Sequence, residues 1–190
     1  MKNKLILASA SPRRRELLTA AGIDFEIIPS DADEIKSGFA PEILASKNAE
    51  AKAAHVYNGL SDKNAYVIGA DTIVVIDGEI LGKPKDKGDA FRMLEKLSGR
   101  THTVVTGWCV IRPDGKREVH SDSSRVRFRN NTKKEIEAYI DTVEPMDKAG
   151  SYAIQGLGRN IIAGYTGDLC NIIGLPTSAI KRVKELTAND

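Results

Sequence analysis

The chain has 190 residues, 41% of them hydrophobic and 28% charged, which suits one ordinary domain with a real core and excludes both a large multi-domain machine and intrinsic disorder. Its 28 Lys+Arg against 26 Asp+Glu leave a formal charge of +2, which excludes the one-signed field of a protein that lives on a nucleic-acid backbone but leaves room for a local anion site. Two cysteines, Cys109 and Cys170, are too few and too far apart for a zinc knuckle or a disulfide framework, and point to a reducing compartment.

Lys2 and Lys4 followed by Leu5-Ile6-Leu7-Ala8 look briefly like a secretory leader. The apolar stretch is shorter than the roughly 7–15 residues such a leader needs, and Arg13, Arg14 and Arg15 arrive at once. Residues 4–8 are therefore predicted as a short buried strand. Ser11 is placed to cap a helix that begins at Pro12, whose missing N–H is harmless there, and stops near Gly22. Residues 25–28 read as a strand and 29–40 as a polar loop. Pro41 opens a second helix to about His55, with Ile43, Leu44, Lys47 and Ala51 on neighbouring turns.

Residues 65–70 and 73–76 are β-branched runs that meet at Asp71-Thr72, and Asp77-Gly78 is a two-residue hairpin signal leading into 79–81. A helix is expected over 86–99. Residues 101–111 and 117–128 read as two long strands joined through Pro113-Asp114-Gly115. Val126 and Phe128 alternate with Arg125, Arg127 and Arg129, which puts the arginines on one face. Thr132 with Glu135 three residues on is a capping box for a helix over 133–142. Residues 144–158 read as irregular, 161–165 as a strand, and Pro176 opens a last helix ending near Leu186. Mixed order with a long hairpin, and no repeat or linker, predicts a single α/β or α+β domain over residues 1–190 with a mixed sheet. No window approaches the roughly 18 apolar residues of a membrane span, so a cytoplasmic protein without a membrane partner is expected.

Common nucleotide motifs fail. Gly78 to Pro84 has one residue too few between its glycines for a P-loop, and Pro84 stands where a metal-binding Ser/Thr belongs. Gly156-Leu157-Gly158 lacks the third glycine of a dinucleotide fingerprint. His55, His102 and His120 have no metal-ligand spacing and read as surface or strand residues.

What survives is a set of charged residues at the ends of predicted elements. In Ser9-Ala10-Ser11-Pro12-Arg13-Arg14 a strand runs into a helix N-terminus, where free N–H groups favour an anion. Arginines are unfavourable at that end unless phosphate neutralises them; the alternative is a solvated run paired with Glu16. Asp71 lies between two apolar stretches, and a buried carboxylate is costly without a cation, a metal or a catalytic task. Glu34 could supply a second carboxylate to a divalent metal. Lys52 is a helix residue that solvent could equally claim, whereas Lys83 is restricted between Gly82 and Pro84. Basic groups for several phosphate charges, carboxylates for a metal or water, and no covalent nucleophile with a base partner point to phosphoanhydride hydrolysis.

These residues fall within blocks by which the sequence resembles the Maf-like nucleoside triphosphate pyrophosphatases: Leu7 to Arg14, Gly69-Ala70-Asp71-Thr72, Leu81-Gly82-Lys83-Pro84, Leu97 to His102, Glu144 to Gly150, Ile154-Gln155-Gly156 and Gly174-Leu175-Pro176. The resemblance implies an elongated mixed sheet with flanking helices and two lobes around a cleft, similar to inosine triphosphate pyrophosphatases, and often a homodimer. It implies hydrolysis of a nucleoside triphosphate to the monophosphate and pyrophosphate with a divalent cation, Mg²⁺ or Mn²⁺, held by Asp71 or Glu34. By position, Asp71 matches the proton acceptor; Arg13, Thr72 and Gln155 match substrate-specificity positions; Ser9, Arg14, Glu34, Lys52 and Lys83 match other pocket residues.

The stretch Asp147 to Gly156 looks like the dTTP/UTP branch, where the 7-methyl-GTP branch tends to carry a glutamate at the position of Gln155. An amide offers a donor and an acceptor to the O4 and N3–H edge of uracil or thymine; a carboxylate only accepts, which suits guanine. Ala153 departs from the glycine that many members carry, which leaves the backbone angle there open. Two rival functions are a non-catalytic nucleotide sensor acting in cell division and an RNA-binding module using the Arg125, Arg127, Arg129 face. Near-neutral charge and 5% aromatics give the second little support.

Overall fold

A computed structural model describes residues 4–188. Lys2, part of the leader pattern, lies outside the described residues. The strands are β1 (Lys4–Leu7), β2 (Glu26–Ile27), β3 (Ala65–Ile76), β4 (Glu79–Leu81), β5 (Thr101–Ile111), β6 (Arg117–Phe128) and β7 (Ile162–Thr166). The helices are α1 (Pro12–Ala20), α2 (Pro41–Gly59), α3 (Lys87–Leu97), α4 (Lys133–Asp141), α5 (Leu169–Ile173) and α6 (Thr177–Ala188). The sheet order is β2-β1-β3-β5-β6-β7, with β4 paired to β3. β1 is parallel to β2 and β3, whereas β3–β4 and β6–β7 are antiparallel, so the sheet is mixed as predicted.

Several boundaries differ from the sequence reading. The runs meeting at Asp71-Thr72 form one unbroken 12-residue strand. β2 has only two residues, both exposed, and α2 continues to Gly59, past His55. The 144–158 segment holds short 3₁₀ turns, Glu144–Asp147 and Ala149–Ser151, and a third, Gly156–Ile161, precedes β7. Ala153 is not among the residues with positive φ; the left-handed non-glycine position in this stretch is Ser151, at φ 60°.

The chain clusters into two compact units. The first comprises residues 4–71, 106–122 and 174–188 of the described chain. Here β1 is buried throughout after Lys4, as a parallel strand covered on both faces should be. Leu5 and Leu7 join Leu18 of α1 and Ala179 and Val183 of α6, while Ile6 and Ala8 join Ala49, Ala53 and Val56 of α2. The twofold period of the strand thus sends alternate residues into two cores.

The second unit comprises residues 72–105 and 123–173. Its core joins Leu94 and Leu97 of α3, Ile136 and Ile140 of α4, and Val126 and Phe128 of β6. Arg125, Arg127 and Arg129 are exposed, as the alternation requires. The Asp86 carboxylate accepts from Asp89 N at 2.7 Å to start α3, and the Thr132/Glu135 capping box starts α4.

His102 is a strand residue and fully inside, with Nε2 2.7 Å from the Tyr152 hydroxyl and edge contacts to the Phe128 and Tyr152 rings. Burial pushes its pKa down from 6.5 to about 4. Between those values the unfolded chain binds more protons than the folded one. The stability contribution is therefore complete above the unfolded value and is lost as pH falls toward the folded one. Urea denaturation should show a loss of about 2–3 kcal/mol from this residue between pH 7 and about pH 4.5. His102→Gln, whose amide can still meet the Tyr152 hydroxyl, should lack that component; an unchanged pH profile would refute the assignment.

Candidate active site

At the exit of β1 the chain turns through Ala8-Ser9-Ala10-Ser11 into α1. Ser11 occupies the cap position, but its side chain makes no capping bond. The buried Ser9 hydroxyl accepts from Ser11 N at 3.2 Å, closing a turn ahead of the helix, and from Arg14 Nη1 at 3.0 Å, so no side chain fills the expected capping role. Arg14 Nε donates to the Gly174 carbonyl at 2.8 Å, which fixes the guanidinium between the start of α1 and the segment before α6. Burial lowers the Arg14 pKa below arginine's ordinary range; the Asp71 carboxylate opposes this, the Arg13 charge adds to it, and the Glu34 carboxylate again opposes it. The guanidinium stays charged in any case. No acidic residue sits in the first turn of α1. Peptide N–H groups and Arg13 and Arg14 together make that end strongly electropositive.

The carboxylate side of the site is set by α2. Its buried face carries Leu44, Ala45, Asn48, Ala49, Ala53 and Val56, whereas Ile43 and Lys47 are exposed, so the face lies about one position from the predicted one. Alanines can line it because the strands opposite present glycine. A Cβ on Gly69 would lie 2.4 Å from the Ala49 carbonyl oxygen, and one on Gly107 would lie 2.2 Å from the Ala45 carbonyl carbon. The helix backbone therefore rests directly on β3 and β5, closer than any side chain would allow.

That approach delivers two polar residues, one turn apart, to Asp71. Lys52 Nζ donates to Asp71 Oδ1 at 2.6 Å and to Glu34 Oε1 at 2.7 Å. Asn48 Nδ2 donates to Asp71 Oδ2 at 3.1 Å and to the Ile35 carbonyl at 3.0 Å, while its Oδ1 accepts from Ile35 N at 2.8 Å. Asp71 is 7% exposed and Asn48 3% exposed. Asn48 thus ties the loop bearing Glu34 to the same carboxylate that Lys52 grips. Sequence reasoning missed Asn48; the available signal was a poor helix former one turn before Lys52 on the small-residue face.

Ser9, Arg13, Arg14, Glu34, Lys52 and Asp71 all belong to the first unit. Thr72, Lys83 and Gln155 belong to the second. Thr72 follows Asp71 in β3 and is half-buried; Lys83 is exposed between Gly82 and the buried Pro84; Gln155 is half-buried, in extended backbone just before a 3₁₀ turn.

Two carboxylates with hard oxygen donors, and no cluster of three His, Cys, Asp or Glu among the described residues, do not make an all-protein metal cage. They do suit an Mg²⁺-type ion, which is held by one or two carboxylates with phosphate oxygens and water completing its shell. Glu34 and Asp71 are the residues that would hold it. No described helix is long and apolar enough to cross a membrane.

Comparison with known proteins adds the kinship. The chain is 50% identical over 188 residues to a dTTP/UTP pyrophosphatase of Moorella thermoacetica, covering 98% of this chain and 94% of that one. It is 48% identical over 182 residues to one of Thermococcus gammatolerans, covering 96% of each, and 43% identical over 180 residues to one of Aquifex aeolicus, covering 95% and 93%. Among solved structures, the Ham1 protein of Staphylococcus aureus shares the fold with a TM-score of 0.52 at 17% identity, covering 84% of this chain and 80% of that one. With a match to the Maf-like protein family over residues 4–186, reaching from β1 into α6 through both units, the chain belongs to that family.

Proposed function

We propose that the protein is a nucleoside triphosphate pyrophosphatase that hydrolyses dTTP and UTP to the monophosphate and pyrophosphate. The observation that carries the reading is Asp71, a buried carboxylate held at both oxygens by Lys52 and Asn48 and close enough to the half-buried Arg14 to raise the guanidinium's pKa. A side chain held this firmly is suited to take a proton from a water in line with the α-phosphorus. The shared name of the relatives supports the same activity.

In this reading water attacks the α-phosphorus, Asp71 accepts its proton, and the α–β anhydride bond breaks to leave nucleoside monophosphate and pyrophosphate. Arg13 and Arg14, at the electropositive start of α1, and Ser9 hold phosphate oxygens, and Lys52 neutralises charge on the departing pyrophosphate, with Lys83 assigned to phosphate binding on the family resemblance alone. Thr72 and Gln155 bind the nucleoside, the Gln155 amide meeting the O4 and N3–H edge of uracil or thymine. A bound divalent cation, Mg²⁺ or Mn²⁺, would supply charge neutralisation at the phosphates. A cytoplasmic homodimer belongs to the same reading, on the family resemblance and on two thiols that stay unpaired.

The test is direct. Purified protein should release pyrophosphate from dTTP and UTP with an equal amount of monophosphate. Saturable nucleotide binding without release would favour a sensor instead. Chelation should abolish turnover reversibly yet leave the melting temperature of the nucleotide-free protein unchanged, since two carboxylates bridged by Lys52 need no metal to stay folded. A lowered melting temperature in chelator would show a structural metal and refute this reading of the carboxylates.

A further inference from the structure

The Glu144 to Gly150 block and the glycines of Gly156-Leu157-Gly158 have no role in the chemistry above, yet they converge on the backbone around Gln155. Ala153 N donates to the Tyr139 hydroxyl at 3.0 Å, and that hydroxyl donates to Glu144 Oε1 at 2.9 Å. Beyond Gln155, Gly158 N donates to the same Oε1 at 3.2 Å and Leu157 N donates to Oε2 at 3.2 Å. Main-chain groups on both sides of Gln155 thus end on one phenol and one carboxylate. Tyr139 is buried in α4, and Lys148 Nζ donates to the Glu144 carbonyl at 2.5 Å, so both anchors are themselves held.

The glycines are explained by this arrangement. Gly156 sits at φ 64°, and a Cβ there would lie 2.6 Å from Glu144 Oε2. A Cβ on Gly158 would lie 2.0 Å from the Ala153 carbonyl oxygen and 3.0 Å from the Tyr139 hydroxyl. Both glycines let the backbone close onto the two side chains, which no dinucleotide fingerprint would require.

We propose that Tyr139 and Glu144 are positioning residues that clamp the backbone on either side of Gln155 and so set which base the protein accepts. This rests on the reading of Gln155 as the base-contacting residue. A side chain fixed within a narrow range of positions rejects a base whose hydrogen-bond pattern it cannot match; a loose one adapts to either.

The experiment measures kcat and KM for UTP, dTTP, CTP and GTP with wild type, Tyr139→Phe, Glu144→Gln and Gln155→Ala. Tyr139→Phe keeps the buried ring and removes only the hydroxyl. It should raise KM for UTP and dTTP about tenfold, hold kcat within about twofold, and narrow the preference for UTP over GTP, as expected for loss of one well-placed hydrogen bond in ground and transition state alike. Glu144→Gln, which keeps an acceptor oxygen, should lie between wild type and Tyr139→Phe. Equal loss on every nucleotide, or an unchanged preference in Tyr139→Phe while Gln155→Ala shifts it, would overturn the clamp and leave the base contact standing. If Gln155→Ala itself leaves the preference unchanged, the base contact falls and the clamp with it.

Discussion

Replacing Asp71 by Asn is expected to lower kcat for dTTP and UTP hydrolysis by roughly 10²–10⁴-fold, the usual worth of a positioned general base, with nucleotide affinity largely kept. The substitution preserves size and leaves an oxygen to accept from Lys52 in place of the 2.6 Å bond, while its amide nitrogen comes to face Asn48 Nδ2, also a donor, so that the weaker of the two bonds is lost. What it removes is the group that can take the proton from water. Affinity measured with a nucleotide whose α–β bridge cannot be cleaved separates binding from turnover. Wild-type turnover in Asp71→Asn would refute the assignment of the base. A matched fall in affinity and rate would make Asp71 an electrostatic partner of Lys52 instead.

Gly107→Ala should be the most disruptive single-methyl addition in the first unit. The added carbon would fall 2.2 Å from the Ala45 carbonyl carbon, 2.3 Å from its oxygen and 2.4 Å from Ser46 N, all of it helix backbone that has no rotamer to change. Relief requires α2 to lift off β5, at a cost of about 3 kcal/mol or more. Urea denaturation should register that loss, and pyrophosphate release should fall as well, because the same helix carries Asn48 and Lys52 to Asp71. Gly59→Ala, with nothing near its added carbon, is the control and should change stability by less than about 1 kcal/mol. Equal stabilities for the two variants would show that the helix does not sit as close to the strand as described.

Long elements with clear punctuation were legible from residues alone. β5 and β6 run between the bounds their turn residues predict, and the Thr132/Glu135 box starts α4 where expected. Short ones were not: α5 has five residues, too few for a helical period to emerge. The buried face of α2 escaped for a different reason. Periodicity weighs large apolar residues, so Ile43 drew the prediction outward, while the actual contact is made by alanines whose fit depends on glycines far away in sequence.

The chemistry divides in the same way. Arg14 and Asp71 could be named because a guanidinium at a helix N-terminus and a carboxylate between apolar runs are unusual, and Ser9, Glu34 and Lys52 because they match positions of the family pattern; the structure links them by hydrogen bonds, ion pairs and electrostatic interaction. Asn48, Tyr139 and Glu144 could not, because their role is to hold backbone groups of a remote segment. A helix asparagine, a core tyrosine and a loop glutamate carry no mark of that role until the partner segment is in view.

The Arg14 contact with Gly174 spans 160 positions of the chain. During synthesis that carbonyl leaves the ribosome only after β2 to β7 and α2 to α5 have been made, and α6 emerges later still. A nascent chain therefore carries its arginines and its Asp71 well before the guanidinium can be locked in place. Closure of this contact should arrive late and abruptly, because no product of translation that stops short of Gly174 contains both of its partners.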